Sequence, residues 1–172
     1  MIKLLGAILI IGASTLYGFY RASLFAERPR QIRQCIHAVK RLSTEIHYGS
    51  TPLPGALHKL SSQCKKPLSQ LFSRAADRLS TERAATVKEV WHEAVEYTWG
   101  QTAMKAPEKD ALLELGASLG VSDREDQLKH LELALSQLEQ EEAAARDEQA
   151  RFEKLSRSLG VLGGALIVIL IY

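Results

Sequence analysis

Long apolar runs occupy both ends of this chain. Residues 4–20 carry no charged side chain, and neither do residues 159–172. At about 1.5 Å per residue the first run covers roughly 26 Å, or roughly 33 Å if it continues to Phe25, against a hydrocarbon core of about 30 Å. The second covers about 21 Å and needs local bilayer thinning, with Arg157 snorkelling to the interface. We expect two membrane-spanning helices; a cleaved signal peptide at the front and a buried core helix at the back are the alternatives.

Between these runs, apolar residues recur at helical spacing and no alternating strand pattern is present, so an all-α domain with about six helices is predicted. Proline and glycine mark the expected helix boundaries at Pro29, Gly49, Pro52, Pro54, Pro67, Gly100, Pro107 and Gly120. The predicted core stripes are Ile32, Cys35, Ile36, Val39, Leu42 and Ile46; Ala56, Leu57 and Leu60; Leu68, Leu71, Phe72, Ala75, Ala76 and Leu79; Val87, Val90, Trp91, Ala94 and Thr98; and Leu112, Leu115 and Leu119.

The last helix is predicted to be capped by Ser122-Asp123, with Glu125 at the third helical position for a Ser122 cap, a capping-box arrangement. No Pro or Gly follows before the C-terminal apolar run, so one helix of about 50 residues is expected. A heptad-like seam runs along it, formed by Leu128, Leu131, Leu135, Leu138, Ala145 and Phe152. The polar stretch 139–153 needs water or a partner, and we expect the helix from Pro29 to pack antiparallel against it as a stalk beneath the domain.

Charge separates a basic start from an acidic remainder. Residues 21–66 hold nine Lys and Arg against two Asp and Glu, and residues 67–158 hold twelve against eighteen. Basic residues flank the inner side of both apolar runs, so the positive-inside rule predicts a cytoplasmic centre and both termini outside. The expected division is an N-terminal transmembrane helix (1–25), a cytosolic helical bundle that includes the long final helix (26–155) and a C-terminal transmembrane helix (156–172). The basic part could bind anionic lipid headgroups, and the acidic part could bind a basic protein partner. Helix faces that are simply exposed to water explain both charge patterns equally well.

No catalytic, cofactor or metal site is expected. The sequence has no phosphate-binding GxxxxGK[ST] loop and no GxSxG elbow. His92-Glu93 opens like a zinc-protease motif, but Glu96 occupies the position of the second histidine ligand. Cys35 and Cys64 are expected to be buried or half-buried thiols in a reducing compartment, without a disulfide. These absences favour a protein that is not an enzyme, and aromatic residues do not interleave with the basic ones as nucleic-acid binding would require.

Small residues lie four apart in each apolar run, at Ser14 and Gly18 and at Gly160 and Gly164. This spacing places them on one helix face and permits close contact between membrane helices. We expect the two terminal helices to pack on each other or on a partner's helices.

Two segments carry a resemblance to a known family. TEIHYGSTPLPGAL at residues 44–57 and LGVSDREDQ at residues 119–127 lie between an N-terminal apolar helix and a long C-terminal one. In this order and spacing, the whole chain resembles the stage III sporulation protein AB family of endospore-forming Gram-positive bacteria. That family is similar to the inner-membrane F platform protein of type II secretion and type IV pilus machines. The chain departs from the F proteins by carrying one such domain, where they commonly carry two and another membrane helix.

The resemblance implies a non-enzymatic platform or adaptor for a secretion-type ATPase, in the channel complex between mother cell and forespore. It places the domain on the mother-cell side and marks Gly120, Asp123 and Gln127 as partner-binding residues, with Gly49, Pro52 and Pro54 as turn residues; each also has a purely structural explanation. Membrane lipids, other channel subunits and further copies of the chain are the other expected partners. The alternatives are an anchored structural protein that self-associates through its seam and an enzyme with an unrecognised site.

Overall fold

The computed structural model describes residues 26–48, 51–82, 84–120 and 123–171, with side chains described up to Leu155. Six helices and no strand are present in this part of the chain. They are α1 (26–48), α2 (Leu53–Gln63), α3 (Leu68–Thr81), α4 (Val87–Trp99), α5 (Ala106–Ser118) and α6 (Arg124–Ile171). The predicted all-α fold is confirmed, and so is one continuous final helix, because α6 contains 48 residues.

Helices α2 to α6 pack in chain order, each against the next. Helix α1 closes the bundle, because its side chains reach the end of α2 on one flank and α6 on the other. Gln34 accepts a hydrogen bond from the backbone N–H of Lys65 at 3.1 Å, while Lys40 forms an ion pair with Glu139 of α6 at 2.7 Å.

One apolar core lies inside this bundle, and the predicted stripes form most of it. Trp91 and Phe72 are its largest fully buried side chains, with ring centroids 6.1 Å apart. The Trp91 indole N–H donates to the backbone carbonyl of Leu112 at 2.6 Å, which satisfies the polar atom of this aromatic side chain inside the core. Of the predicted stripe residues, Ile46, Leu79 and Val87 are only partly buried, at the margin of the core.

One predicted helix start was wrong. Residues 26–28 are already helical, so Pro29 lies inside α1; proline fixes φ near its helical value and removes only one backbone hydrogen bond. The predicted cap of the last helix is confirmed for Asp123, since α6 starts at Arg124 and the Asp126 N–H donates to Asp123 Oδ1 at 2.8 Å. The capping box predicted for Ser122 involves a residue outside the described residues.

The predicted antiparallel pairing of α1 with α6 is confirmed, but not as a stalk beneath the domain. Buried residues of α1 share one core with α2 to α5, so the pair forms one side of the bundle. Within the described residues, the seam is buried at Leu131, Leu138 and Ala145, and the Phe152 side chain is 38% exposed.

Among the residues that the structure describes, no helix is both long enough and apolar enough to cross a membrane. The first predicted span, with Ser14 and Gly18, lies outside the described residues. The α6 backbone remains helical through Gly160 and Gly164. The predicted packing of these four small residues stays a prediction.

Candidate functional site

The two sequence segments that carry the family resemblance meet at one end of the bundle. The guanidinium of Arg124, at the start of α6, lies 3.5 Å from the backbone carbonyl oxygen of His47 near the end of α1. We call this end, formed by the described parts of residues 44–57 and 119–127, the tip. Residues 49, 50, 121 and 122 within it lie outside the described residues.

An aromatic side chain stands exposed at the tip. Tyr48 is 76% exposed, and its ring lies edge-on to the His47 ring with centroids 5.2 Å apart. Lys59 of α2 donates to Glu45 at 3.2 Å and to Thr51 at 3.1 Å, which ties the end of α1 to the turn before α2. Hydrogen bonding by Thr51 and then by Lys59 lowers the pKa of Glu45. Tyr48 therefore follows a part of α1 that these hydrogen bonds hold against the turn before α2. An exposed aromatic side chain on such a fixed segment is typical of a contact residue at an interface.

The predicted partner-binding residues lie at the tip and have structural roles there. Gly120 ends α5 with a positive φ of 79°, and a Cβ at this position would lie 2.8 Å from Val87 Cγ2. Asp123 caps α6, and Gln127 is half-buried in its first turn. Asp123 and Gly120 are thus needed to turn the chain from α5 into α6. Partner binding by these residues stays a prediction.

The predicted turn residues precede and open α2. Pro52 is its N-cap, and Pro54 lies at the second helical position, where its missing N–H costs no helical hydrogen bond. Gly49 lies outside the described residues.

A row of ion pairs joins α1 to α6, and we call it the ion ladder. Its bonds are Arg28 to Glu148 at 2.9 Å, Arg28 to Glu141 at 2.9 Å, Arg33 to Glu142 at 2.8 Å and Lys40 to Glu139 at 2.7 Å. From Arg28–Glu148 through Arg33–Glu142 to Lys40–Glu139, the residue numbers rise on α1 as they fall on α6, as antiparallel helices require. The polar stretch of α6 therefore has a basic partner within the chain, and part of the basic start is neutralised internally rather than left for lipid.

One pair of this region is buried. Arg28, 8% exposed, donates through Nε to Glu108 of α5 at 2.8 Å, and Glu108 is fully buried. Glu108 also accepts the backbone N–H of Lys105 at 2.9 Å, while the Lys105 ammonium bonds Glu148 at 2.8 Å. A buried carboxylate is tolerated only when paired and hydrogen-bonded, and Glu108 has both kinds of partner.

Sequence reasoning missed this cluster. Its one local signal is Glu108 at the third position of a helix that carries Pro107 in its first turn, a pattern that indicates a capping carboxylate. Arg28 lies 80 residues away, and nothing in its surrounding sequence distinguishes it from the exposed arginines of α1.

Two carboxylates of the ladder, Glu142 and Glu148, are held in their charged form. A hydrogen bond from Lys105 lowers the pKa of Glu148, with a further contribution from Arg28. Burial alone would raise the pKa of Glu142, but the hydrogen bond from Arg33 and the charge of Arg146 lower it overall. At neutral pH these two carboxylates are therefore ionised.

The described residues contain no group of three or more His, Cys, Asp or Glu side chains that could hold a metal ion. Glu96 forms an ion pair with Lys109 at 2.7 Å on the surface. Cys35 is buried and Cys64 half-buried, both as free thiols, and burial raises the pKa of each. The histidines at 37, 47, 58 and 92 are exposed, and His130 is half-buried.

An open groove between α5 and α6 is lined by Pro107, Asp110, Ala111, Glu114, Gln137, Gln140 and Glu141.

Comparisons with known proteins agree on one family. The sequence profile of the stage III sporulation protein AB family matches residues 3–172. The stage III sporulation protein AB of Bacillus subtilis (strain 168) is 42% identical over 171 residues, which is 99% of each chain. A solved structure of a stage III sporulation protein AB superposes with a TM-score of 0.69 at 39% identity, covering 73% of this chain and 98% of that one. The chain therefore belongs to the stage III sporulation protein AB family.

Proposed function

We propose that this sporulation protein is a non-enzymatic, membrane-anchored platform or adaptor in a secretion-like channel complex between mother cell and forespore. Its tip docks a secretion-type ATPase, and its bundle connects that contact to the membrane. The observation that carries the proposal is the contact of Arg124 with His47, because it joins two segments 77 residues apart into one surface with an exposed tyrosine.

The position of the tip supports this role. Arg124 begins α6, and the C-terminal apolar run begins at residue 159 of the same helix. At about 1.5 Å per residue, roughly 52 Å of helix separates these two points. A partner at the tip is thus well clear of a bilayer that holds the C-terminal run, and it can contact the end of α1, the start of α2 and the start of α6 together.

In this proposal, lipids surround the two apolar runs, the bundle lies in the mother-cell cytoplasm and both termini lie outside. The basic residues on the inner side of each run support this orientation. Other channel subunits, or further copies of this chain, complete the platform, since one bundle is half of what the F proteins commonly carry. Self-association through the heptad seam alone is disfavoured, because Leu131, Leu138 and Ala145 are already buried within the chain.

Capture of the purified secretion-type ATPase of the stage III sporulation complex by the full-length chain in lipid bilayers tests the proposal. The test variant combines Tyr48→Ser with Glu125→Lys at the tip. Tyr48 is 76% exposed, and the Glu125 side chain is 83% exposed, with one ion pair to Lys129 within the same helix. Loss of that helical pair costs only about 0.3–0.5 kcal/mol, so the fold is expected to survive.

The control combines Tyr97→Ser with Glu132→Lys, which makes the same chemical changes at exposed positions outside the tip. We expect at least ten-fold weaker capture by the tip variant, equal to about 1.4 kcal/mol, and unchanged capture by the control. Equal losses in both would remove the tip from the proposal. No capture by the unaltered chain in membranes would overturn the ATPase partnership itself.

A further inference from the structure

The Arg28 side chain is bound to two other helices at once. Its guanidinium contacts Glu108 of α5 and, on α6, both Glu141 and Glu148. The two α6 carboxylates lie seven residues apart, which is about 10.5 Å along a helix. A planar guanidinium has five donors in a fixed fork and can hold several carboxylates in different directions, whereas an ammonium is a point charge on a flexible stem.

The next residues on the same stripe of α1 bind the segment that joins α4 to α5. Gln31 accepts a hydrogen bond from the backbone N–H of Ala103 at 2.8 Å, and Cys35 Sγ lies 3.9 Å from the sulfur of Met104. Together with Arg28, these side chains fix the α4–α5 linker against α1 along two turns. Lys105, at the end of the linker, reaches α6 through Glu148.

We propose that this junction, formed by Arg28, Gln31, Lys105, Glu108, Glu141 and Glu148, is a rigid coupling point that makes α1, the α4–α5 linker and α6 move as one body. The rest of the bundle, from α2 to α4, is held by apolar contacts and by ion pairs of Arg74 and Arg78 with Glu93, and none of these involves the junction residues. Because the fully buried Glu108 loses its cation when Arg28 is removed, the coupling depends on this one residue. The inference does not require an ATPase partner.

Hydrogen exchange of the full-length chain in detergent micelles, read by mass spectrometry, tests the coupling. In Arg28→Gln we expect amide exchange to rise at least ten-fold in residues 100–108 and in residues 141–150, with no change in α2 and α3. Arg30→Gln is the matched control, since Arg30 is exposed and its one ion pair among the described residues is with Glu27 on its own helix. The control should exchange like the unaltered chain.

A second variant separates coupling from general loss of stability. Arg28→Lys keeps the charge beside Glu108 but loses the fork, so residues 141–150 should exchange faster while residues 100–108 keep their protection. Arg28→Lys also preserves the fold if Arg28→Gln does not. Equal rises in every helix for Arg28→Lys, or a rise confined to α1, would overturn the inference, and so would exchange identical to that of Arg30→Gln.

Discussion

At the scale of single residues, the closest packing against a described glycine is that of the Trp91 ring against Gly116. A Cβ on Gly116 would lie 2.0 Å from Trp91 Cδ1, inside the indole ring's contact distance. The ring cannot retreat easily, because its N–H is bonded to the Leu112 carbonyl and its other side faces Phe72. Gly116 is therefore required by packing and not by backbone conformation.

Gly116→Ala is expected to destabilise the protein by about 1–3 kcal/mol, since overpacking forces the neighbouring side chain or the backbone to move. Urea unfolding of the full-length chain in micelles, followed by circular dichroism, measures the change. Gly100→Ala is the matched control: its helical backbone has nothing within 4 Å of the new Cβ, so a change between zero and about 1 kcal/mol of stabilisation is expected. Unaltered stability in Gly116→Ala would contradict the packing described around Trp91.

At the scale of elements, α6 is held to the bundle by apolar contacts and by the ion ladder. Leu131, Ala134 and Leu138 are buried on the face that enters the core. Glu139 and Glu142 lie at the margin of that face and bind α1. The apolar part provides most of the stabilisation, while the ladder contributes modestly because its exposed pairs are screened by solvent.

Two leucines on α6 test whether apolar contacts provide most of the stabilisation that holds this helix to the bundle. Leu138→Ala removes a fully buried side chain and is expected to cost about 2–5 kcal/mol, whereas Leu133→Ala truncates a leucine that is 61% exposed and should change stability by less than about 0.5 kcal/mol. Chemical unfolding of both variants measures the difference. Similar costs at the two positions would mean that the two faces of α6 are assigned wrongly.

The ladder is tested by acid. Because the pKa of Glu148 is lower in the folded state than its ordinary value of 4.5, its contribution to stability is complete above that value and is lost as pH falls through the folded pKa. The melting temperature should therefore fall below about pH 4.5, and Glu148→Gln should melt lower at neutral pH with a weaker acid dependence. Glu132→Gln is the control, an exposed change with no ion pair in the described structure. A pH profile of Glu148→Gln that parallels the unaltered chain would contradict the assignment.

At the scale of the whole molecule, the described residues form a helical bundle with the tip at one end. Among these residues, the last ion pair from α6 to another helix is at Glu148, and residues 151–155 are exposed. Helix α6 runs from the tip at Arg124, past the ion ladder, to Ile171. In the function that we propose, this helix holds a cytosolic partner at a fixed distance from a membrane.

Much of this architecture could be predicted from the sequence, because helix periodicity reports the buried face directly. The stripe from Ile32 to Leu42 and the stripe from Leu68 to Ala76 are buried as predicted. The antiparallel partner of α6 was also predicted, because its polar stretch needs a partner helix and the helix from Pro29 is expected to enter from the same membrane surface. Helix starts were less certain, since Ser122 and Asp123 are equally good caps and only the backbone hydrogen bond to Asp126 distinguishes them.

The junction at Arg28 could not be predicted in this way. Its partners come from α5 and α6, at sequence separations of 80, 113 and 120 residues. Periodicity describes one helix at a time and contains no information on which charges meet across the bundle. The tip shows the same limit: both segments were recognised as motifs, but only the fold brings Arg124 to His47.

Site-specific photocrosslinking in sporulating cells tests the central claim, that the tip is where this platform meets its ATPase. A photoreactive amino acid replaces Tyr48 at the tip or, as a control, Tyr97 near the end of α4; both tyrosines are at least 60% exposed. The account predicts a crosslink to the secretion-type ATPase from position 48 and none from position 97. Crosslinks to the ATPase from position 97 alone, or from neither position, would contradict it.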